Sequence, residues 1–248
     1  MQVHANWFLD WFNSPYYHLL YAYRDDEEAA DFVDKLIVHL LPSPGATMLD
    51  VACGRGRHAK ILAERGFDVT GIDIAPESIN YAKQFENEHL HFYEHDMRLP
   101  FWINYYDFAF NFFTSFGYFR TEREHYDAIR TIANAIKKEG VFVLDFMNTD
   151  FAAEHLVPES TIEIDGVLFK MKRLADDRHL YKQIIIEDKN INHHCEFTER
   201  IARISLNSFT KMFSAYHLQI LEVFGDYDLR PFAETTSARL IMVAKKTF

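Results

Sequence analysis

The chain has 248 residues, of which 48% are hydrophobic and 25% charged, and its net charge is −11 at pH 7. This length allows one domain with an insertion or two small domains, and the composition is ordinary for a globular protein. An acidic chain repels phosphate backbones, so we expect no dedicated nucleic-acid binding. The sequence contains no apolar run whose length approaches the roughly 20 residues needed to span a bilayer, so we expect no membrane partner.

The two cysteines, Cys53 and Cys195, lie far apart in the sequence and suggest no disulfide framework. The first residues lack the basic region and the apolar core of a signal peptide, so the predicted location is the cytoplasm. Adjacent ligands such as His193, His194 and Cys195 rarely converge on one ion, and we predict no metal site.

An aromatic stretch from Trp7 to Tyr23 begins the chain and is interrupted by Ser14-Pro15. It predicts one or two short helical pieces. A helix with apolar residues at helical spacing follows and extends to about Leu40. We interpret residues 1–41 as one N-terminal helical segment.

The region from Thr47 to Asp73 organises the rest of the chain. An apolar run, Met48 to Val51, predicts a buried strand, and the turn Ala52-Cys53-Gly54-Arg55-Gly56 follows it. A helical pattern then leads to a second strand that ends on Asp73. Strand, glycine turn, helix and strand with a final acid are typical of nucleotide-binding α/β units.

Strands and helices continue to alternate downstream, which predicts a parallel sheet covered by helices on both faces. The predicted elements are a helix from Pro76 to Phe85, strands His89–Glu94 and Asp107–Phe110, a helix Thr121–Lys137 capped by Gly140, and a strand Val141–Phe146.

Residues 151–205 break this alternation and predict an inserted antiparallel β subdomain, whose first hairpin turns at Asp165-Gly166. A helix from Ser208 and two strands, Gln219–Phe224 and Arg239–Lys245, complete the prediction. We therefore expect one domain over residues 1–248.

Gly54, Gly56 and Ala59 match a G-x-G-x-x-A pattern, and with Asp73 they could serve a nicotinamide dinucleotide. Two further acids are not explained by that cofactor. Asp50 precedes the glycine turn, where it can order the loop or meet a positively charged amino group. Asp96 follows the third strand, where it can accept a hydrogen bond from the amine of adenine.

These residues together resemble the class I S-adenosylmethionine-dependent methyltransferases. The family motif D-x-G-x-G-x-G stands here as Asp50-x-Ala52-x-Gly54-x-Gly56, and the resemblance covers about residues 30–146 and 208–245. It implies a Rossmann-like sheet of seven strands, and GDYDLRPF and SARLIMVAKK resemble its final strand pair. SPYYHLLYAYRD, CGRGRH, HDMRLPF and FFTSFGYF are similar to small-molecule-type bacterial methyltransferases.

The resemblance implies roles for individual residues in binding S-adenosylmethionine. The backbone of Ala52, Cys53, Gly54 and Gly56 would lie at its methionine part, Asp73 at the ribose, Asp96 and Met97 at the adenine, and Asn111 and Phe112 near the sulfonium, with Asp50 and Ile74 as further cofactor-binding residues. The family's first glycine is Ala52 here, and alanine costs little unless that position needs a positive φ.

The N-terminal segment would be a lid over the cofactor or a hydrophobic staple onto the sheet. As a lid it would offer Tyr17, Tyr21 and Arg24, with Arg24 pairing with the methionine carboxylate. Tyr17 and Tyr118 are the candidates for contact with the nucleophile. The acceptor would be a small molecule, methylated by in-line displacement, and the inserted sheet would form the far wall of its pocket. An NAD(P)-dependent oxidoreductase and a non-catalytic S-adenosylmethionine-binding module are the alternatives.

Overall fold

The computed structural model describes residues 7–21, 26–191 and 193–248. Helices in these ranges are α1 Trp7–Phe12, α2 Pro15–Leu20, α3 Asp26–Leu40, α4 Arg57–Glu64, α5 Pro76–Ala82, α6 Glu122–Ala135, α7 Thr149–Glu154 and α8 Leu206–Ser214. The strands are β1 Thr47–Val51, β2 Asp68–Asp73, β3 Leu90–Glu94, β4 Tyr106–Asn111, β5 Ile136–Met147, β6 Glu159–Ile164, β7 Val167–Ala175, β8 His179–Asp188, β9 His193–Ala202, β10 Leu218–Phe224 and β11 Arg239–Lys246. None of these helices is long and apolar enough to cross a membrane.

Seven strands form the main sheet in the order β3-β2-β1-β4-β5-β11-β10. Strands β1 to β5 run parallel, and β11 is antiparallel to both β5 and β10. The Rossmann-like sheet that the sequence predicted is therefore confirmed, including the final antiparallel pair. Because β1 to β4 are parallel, their carboxyl ends meet at one edge of the sheet, where ligands bind in such folds.

Helices cover both faces of this sheet, as the sequence predicted. Apolar side chains of α3, α4 and α5, such as Phe32, Leu62 and Ile79, pack on one face. Side chains of α6 and α8, such as Ile129 and Phe209, pack on the other. The two apolar layers enclose strands that are buried from both sides, which explains their continuous apolar sequence.

The predicted helix Thr121–Lys137 ends two residues early, at Ala135, and β5 already begins at Ile136. Gly140 was predicted to cap the helix, but it lies within β5. A Cβ at Gly140 would stand 2.3 Å from Cγ2 of Ile136 and 2.9 Å from the carbonyl oxygen of Asp107. Ile136 pairs with Tyr106 of β4 and is completely buried. These interactions outweigh the helical periodicity of the sequence.

Strands β6 to β9 form the separate antiparallel sheet that the sequence predicted after the fifth strand. Asp165 and Gly166 have φ values of 48° and 78°, as a two-residue hairpin turn requires. Helices α1 and α2 pack on this sheet, with Trp11 and Leu20 in one apolar cluster with Phe169 and Ile184. Helices α1 and α2 therefore dock onto the second sheet, whereas α3 packs on the main sheet, where the staple alternative placed the aromatic segment.

Candidate functional site

A cavity of about 200 Å³ lies where the carboxyl ends of β1, β2 and β3 meet the N-terminal segment and the second sheet. Nine residues that the sequence singled out line it: Tyr17, Tyr21, Ala52, Gly54, Asp73, Ile74, Asp96, Met97 and Tyr118. Ligands of parallel α/β sheets bind at this edge. The cavity is therefore the candidate site.

The turn after β1 contributes backbone to the cavity wall. Ala52, Gly54 and Gly56 have φ values of 59°, 56° and 79°, so all three are left-handed. The left-handed conformation costs a residue with a Cβ roughly 1–2 kcal/mol. The sequence analysis expected a low cost for alanine at position 52 unless that position needs a positive φ, and the turn does need one there, so the alanine carries this cost.

Asp73 connects this turn to the end of β2. Its Oδ2 accepts a hydrogen bond from the Gly54 amide at 2.8 Å, and its Oδ1 accepts one from the Ala75 amide at 2.8 Å. Burial raises the pKa of Asp73, while these amide donors oppose that shift. The carboxyl group lies in the cavity wall, where it can accept hydrogen bonds from a ligand.

Three other predicted residues of this region lie behind the wall. Asp50 is 1% exposed, and burial raises its pKa to about 8. Cys53 is buried beside it, and burial raises the pKa of its thiol. A Cβ at Gly56 would stand 2.5 Å from Cζ of Phe92, so this glycine allows close packing in the core. These residues shape the turn from within.

Asp96 and Met97 follow β3 and line the cavity next to the Asp73 side. An Arg98 nitrogen lies 2.6 Å from Asp96 Oδ2, and a second one lies 2.7 Å from Glu124. Burial alone would raise the pKa of Asp96, but the hydrogen bonds from Arg98 hold it below its usual value. Asp96 is therefore an ionised acceptor on this wall.

Asn111 and Phe112, predicted to line the path near the sulfonium, point into the interior. The Asn111 side-chain amide donates to the Val51 carbonyl oxygen at 2.8 Å, and Phe112 stacks on His58 with ring centroids 4.3 Å apart. Phe113 and Thr114 line the cavity in their place. Both have left-handed φ values, and the turn they make moves the lining positions two residues along the chain.

The sequence analysis missed an ion pair at the base of the cavity, between Asp145 on β5 and Arg239 on β11. The Arg239 Nε lies 2.9 Å from Asp145 Oδ1, and Asp145 is 1% exposed. Asp145 Oδ2 also accepts a hydrogen bond from the Phe113 amide at 2.8 Å. The signal in the sequence was Asp145 within the apolar run from Val141 to Met147, and Arg239 directly before the apolar run from Leu240 to Ala244.

The opposite wall of the cavity consists of side chains from α1, α2 and β9. Phe8, Phe12 and Tyr17 present aromatic rings, and Glu199 on β9 is the wall's charged residue that the sequence analysis missed. Tyr118, in the loop after β4, donates its hydroxyl to the Thr114 carbonyl oxygen and meets Phe12 edge to face. Arg24, predicted as a partner of the methionine carboxylate, lies outside the described residues.

Comparison with known proteins identifies residues 48–140 as a match to the family model described as "Methyltransferase domain". The chain is 31% identical over 130 residues to the putative methyltransferase YqeM of Bacillus subtilis, which covers 51% of this chain and 52% of that protein. The chain thus spans about half the length of this curated relative. Residues 48–140, the region that matches the family model, contain the glycine turn, Asp73 and Asp96.

Two solved structures share the fold across most of the chain. An S-adenosylmethionine-dependent methyltransferase from Clostridium acetobutylicum has a TM-score of 0.77 at 18% identity, covering 93% of this chain and 95% of its own. CalS10 from Micromonospora echinaspora, an amino pentose methyltransferase with bound S-adenosylmethionine, has a TM-score of 0.68 at 20% identity, covering 94% and 98%. The predicted family resemblance and the predicted fold class are confirmed.

Proposed function

We propose that this chain, a class I S-adenosylmethionine-dependent methyltransferase, transfers a methyl group to a small-molecule acceptor in the cavity described above. The observation that carries the proposal is the construction of the cavity. One wall offers backbone without side chains and the Asp73 carboxyl group, and the opposite wall offers aromatic faces. The names of structural neighbours such as CalS10 also include a small-molecule acceptor.

The residues of the first wall fit the cofactor by their chemistry. Asp73 accepts hydrogen bonds from ribose hydroxyls, Asp96 accepts from the adenine amine, and Ala52 and Gly54 leave room for the methionine part. When bound, S-adenosylmethionine supplies a methyl group already activated by a positively charged sulfur. Aromatic faces such as those of Tyr17 and Tyr118 stabilise a cation by roughly 0.5–2 kcal/mol each.

The chain's own part is to hold the acceptor in line and to exclude water. Proximity and orientation alone contribute on the order of 7–11 kcal/mol to such a displacement. The N-terminal segment serves as the lid in this proposal, and the inserted sheet serves as the far wall of the acceptor pocket.

Calorimetric titration with S-adenosylmethionine tests the cofactor site directly. Asp73→Ala should weaken binding about 10-fold or more, because it removes charge-assisted hydrogen bonds to the ribose. Asp68→Ala is the matched control, since Asp68 lies at the opposite end of the same strand. Equal affinities of a folded Asp73→Ala protein and the wild type would exclude Asp73 from the site.

Two further measurements separate the alternatives. An oxidoreductase would bind NADH or NADPH and raise its melting temperature with that ligand but not with S-adenosylmethionine. A non-catalytic module would bind S-adenosylmethionine yet transfer no labelled methyl group to any member of a broad panel of amines, alcohols, thiols and carboxylates. Transfer to one panel member, lost in Asp73→Ala, is the result expected for a methyltransferase.

A further inference from the structure

Glu199 is a charged residue of the cavity that the cofactor roles above leave unused. It lies in β9 beside Ile201, and both side chains line the cavity. The amide of the next residue, Ala202, donates to the carbonyl oxygen of Gly117 at 2.8 Å, in the loop after β4. Glu199 therefore enters from the second sheet, whereas Asp73 and Asp96 enter from the ends of β2 and β3.

The two oxygens of the Glu199 carboxylate are unequally occupied. Oε1 accepts hydrogen bonds from Trp11 Nε1 and from the Tyr21 hydroxyl, both at 2.8 Å. Oε2 has Lys182 Nζ at 3.8 Å, which is an ion-pair distance and too long for a hydrogen bond. Two donors thus fix the orientation of the carboxylate, and one oxygen keeps the capacity to accept hydrogen bonds from a ligand.

The surroundings of this carboxylate are mostly aromatic. Glu199 is 13% exposed in its side chain, and the rings of Phe12, Tyr17 and Tyr118 line the same part of the cavity. Arg239 in the cavity wall lies beside Asp145 and is neutralised by it, and Lys182 donates to the Tyr21 hydroxyl at 2.6 Å while its Nζ stays 3.8 Å from Glu199 Oε2. A carboxylate among aromatic faces attracts a cation, since the ring faces and the carboxylate are both negative.

We propose that the acceptor of this methyltransferase is an amine, that Glu199 binds its ammonium group through Oε2, and that this oxygen takes the proton that the nitrogen must lose before its lone pair can accept the methyl group, whose bond to sulfur would break. A primary or secondary ammonium donates hydrogen bonds to Oε2, which accepts none from the described part of the chain, and its alkyl substituents contact the aromatic rings. A hydroxyl acceptor would donate one hydrogen bond to Oε2 without an opposite charge, and a carboxylate acceptor would be repelled. This inference rests on the proposed function and names its substrate class.

Binding of a model pair, benzylamine and benzyl alcohol, tests the proposal without turnover. Each is titrated calorimetrically into the protein saturated with S-adenosylhomocysteine, the demethylated product. The wild type should bind benzylamine at least about 10-fold more tightly than benzyl alcohol, because the ammonium adds an opposite charge to the hydrogen bond with the carboxylate. Equal affinities, or no binding of benzylamine, would overturn the proposal.

Glu199→Gln and Glu196→Gln form a matched pair of variants on one strand. Glu196 is exposed, accepts a hydrogen bond from Gln183 at 2.7 Å and lies on the other face of β9. Glu199→Gln should abolish the preference for benzylamine, and Glu196→Gln should retain it. Glutamine keeps a carbonyl oxygen for Trp11 and Tyr21, and melting curves check that both variants fold.

The amino group of the cofactor's methionine part is a second possible source of an ammonium. If Glu199→Gln weakened S-adenosylhomocysteine binding and left the benzylamine preference unchanged, Glu199 would serve the cofactor and the proposal would be wrong. If the wild type bound S-adenosylhomocysteine but not benzylamine, the amine inference alone would fail. Absence of S-adenosylhomocysteine binding would contradict the proposed function itself.

Discussion

The two walls of the cavity are built in different ways. The wall at the ends of β1 to β3 is held by backbone groups that are close in the sequence, such as the Gly54 amide on Asp73, 19 residues apart. The wall from α2 and β9 is held by side chains that are distant in the sequence, such as Tyr21 on Glu199, 178 residues apart. The first wall is fixed by turn geometry, and the second by docking of two separate elements.

This difference assigns different tasks to the two walls. A wall made of backbone tolerates few residue substitutions, because its geometry depends on φ angles and on glycines that pack against buried rings. A wall of side chains changes with single substitutions, so it is the part of such a fold that can adapt to an acceptor. We therefore expect substitutions in the first wall to affect folding and cofactor binding, and those in the second to affect acceptor choice.

The largest expected effect separates two glycines of the backbone wall. Gly56→Ala combines a left-handed φ with a Cβ 2.5 Å from the fully buried Phe92 ring. The sum of backbone strain and overpacking predicts a loss of about 2–5 kcal/mol in the free energy of unfolding. Chemical denaturation measures this loss.

Gly54→Ala is the control for that experiment. Its φ of 56° is also left-handed, but a Cβ there would meet no atom within 4 Å among the described residues. Because Gly54 lines the cavity, its Cβ would reduce cofactor affinity while costing only about 1–2 kcal/mol of stability. Equal destabilisation by both substitutions would contradict the packing role of Gly56.

Asp50 gives the next largest effect, which is a change of the free energy of unfolding with pH. Burial raises the pKa of Asp50 to about 8, whereas an unfolded aspartate titrates near about 4. The fold therefore favours the protonated form, and this stability is complete below about pH 4 and is lost as the pH rises through about 8. Asp50→Asn mimics the protonated acid and should avoid the loss.

Denaturation of the wild type and of Asp50→Asn at two pH values measures this effect. The stability of the variant relative to the wild type should increase by up to about 3 kcal/mol between about pH 5 and about pH 7. Asp68→Asn, at the partly exposed start of the adjacent strand β2, is the control for removing a carboxylate that is not buried. A constant difference across this pH interval would mean that Asp50 is ionised in the folded protein.

These residues also mark the limit of prediction from sequence. The succession of strands and helices along the chain, the glycine turn and the position of Asp73 follow from local patterns. Each of these elements is contiguous in the sequence, and its chemistry is specific. The predicted end of α6 was wrong because Ile136 suits either a helix or a buried strand. Its pairing with Tyr106 places it in the strand. Glu199 was missed because its partners Trp11 and Tyr21 are brought to it only by docking of the N-terminal segment.

The docking of that segment can be tested through Trp11, whose indole nitrogen donates to Glu199 at 2.8 Å. Trp11→Phe keeps an aromatic ring but removes the donor to a partly buried carboxylate, so unfolding should become easier by about 1–2 kcal/mol. Trp102→Phe is the control, since Trp102 is 54% exposed and should change stability by less than about 0.5 kcal/mol. Equal small effects would mean that the hydrogen bond does not hold the side-chain wall.

The smallest expected effect concerns Ala52, the alanine at the position of the family's first glycine. Its φ of 59° strains an alanine but not a glycine, so Ala52→Gly should raise the free energy of unfolding by up to about 1 kcal/mol. Ala63→Gly in α4 is the matched control and should lower it by about 0.5–1 kcal/mol, because a helix interior disfavours glycine. Opposite signs for the same chemical change would show that turn geometry, rather than side-chain packing, constrains the backbone wall. Destabilisation by both would mean that position 52 tolerates its Cβ without strain.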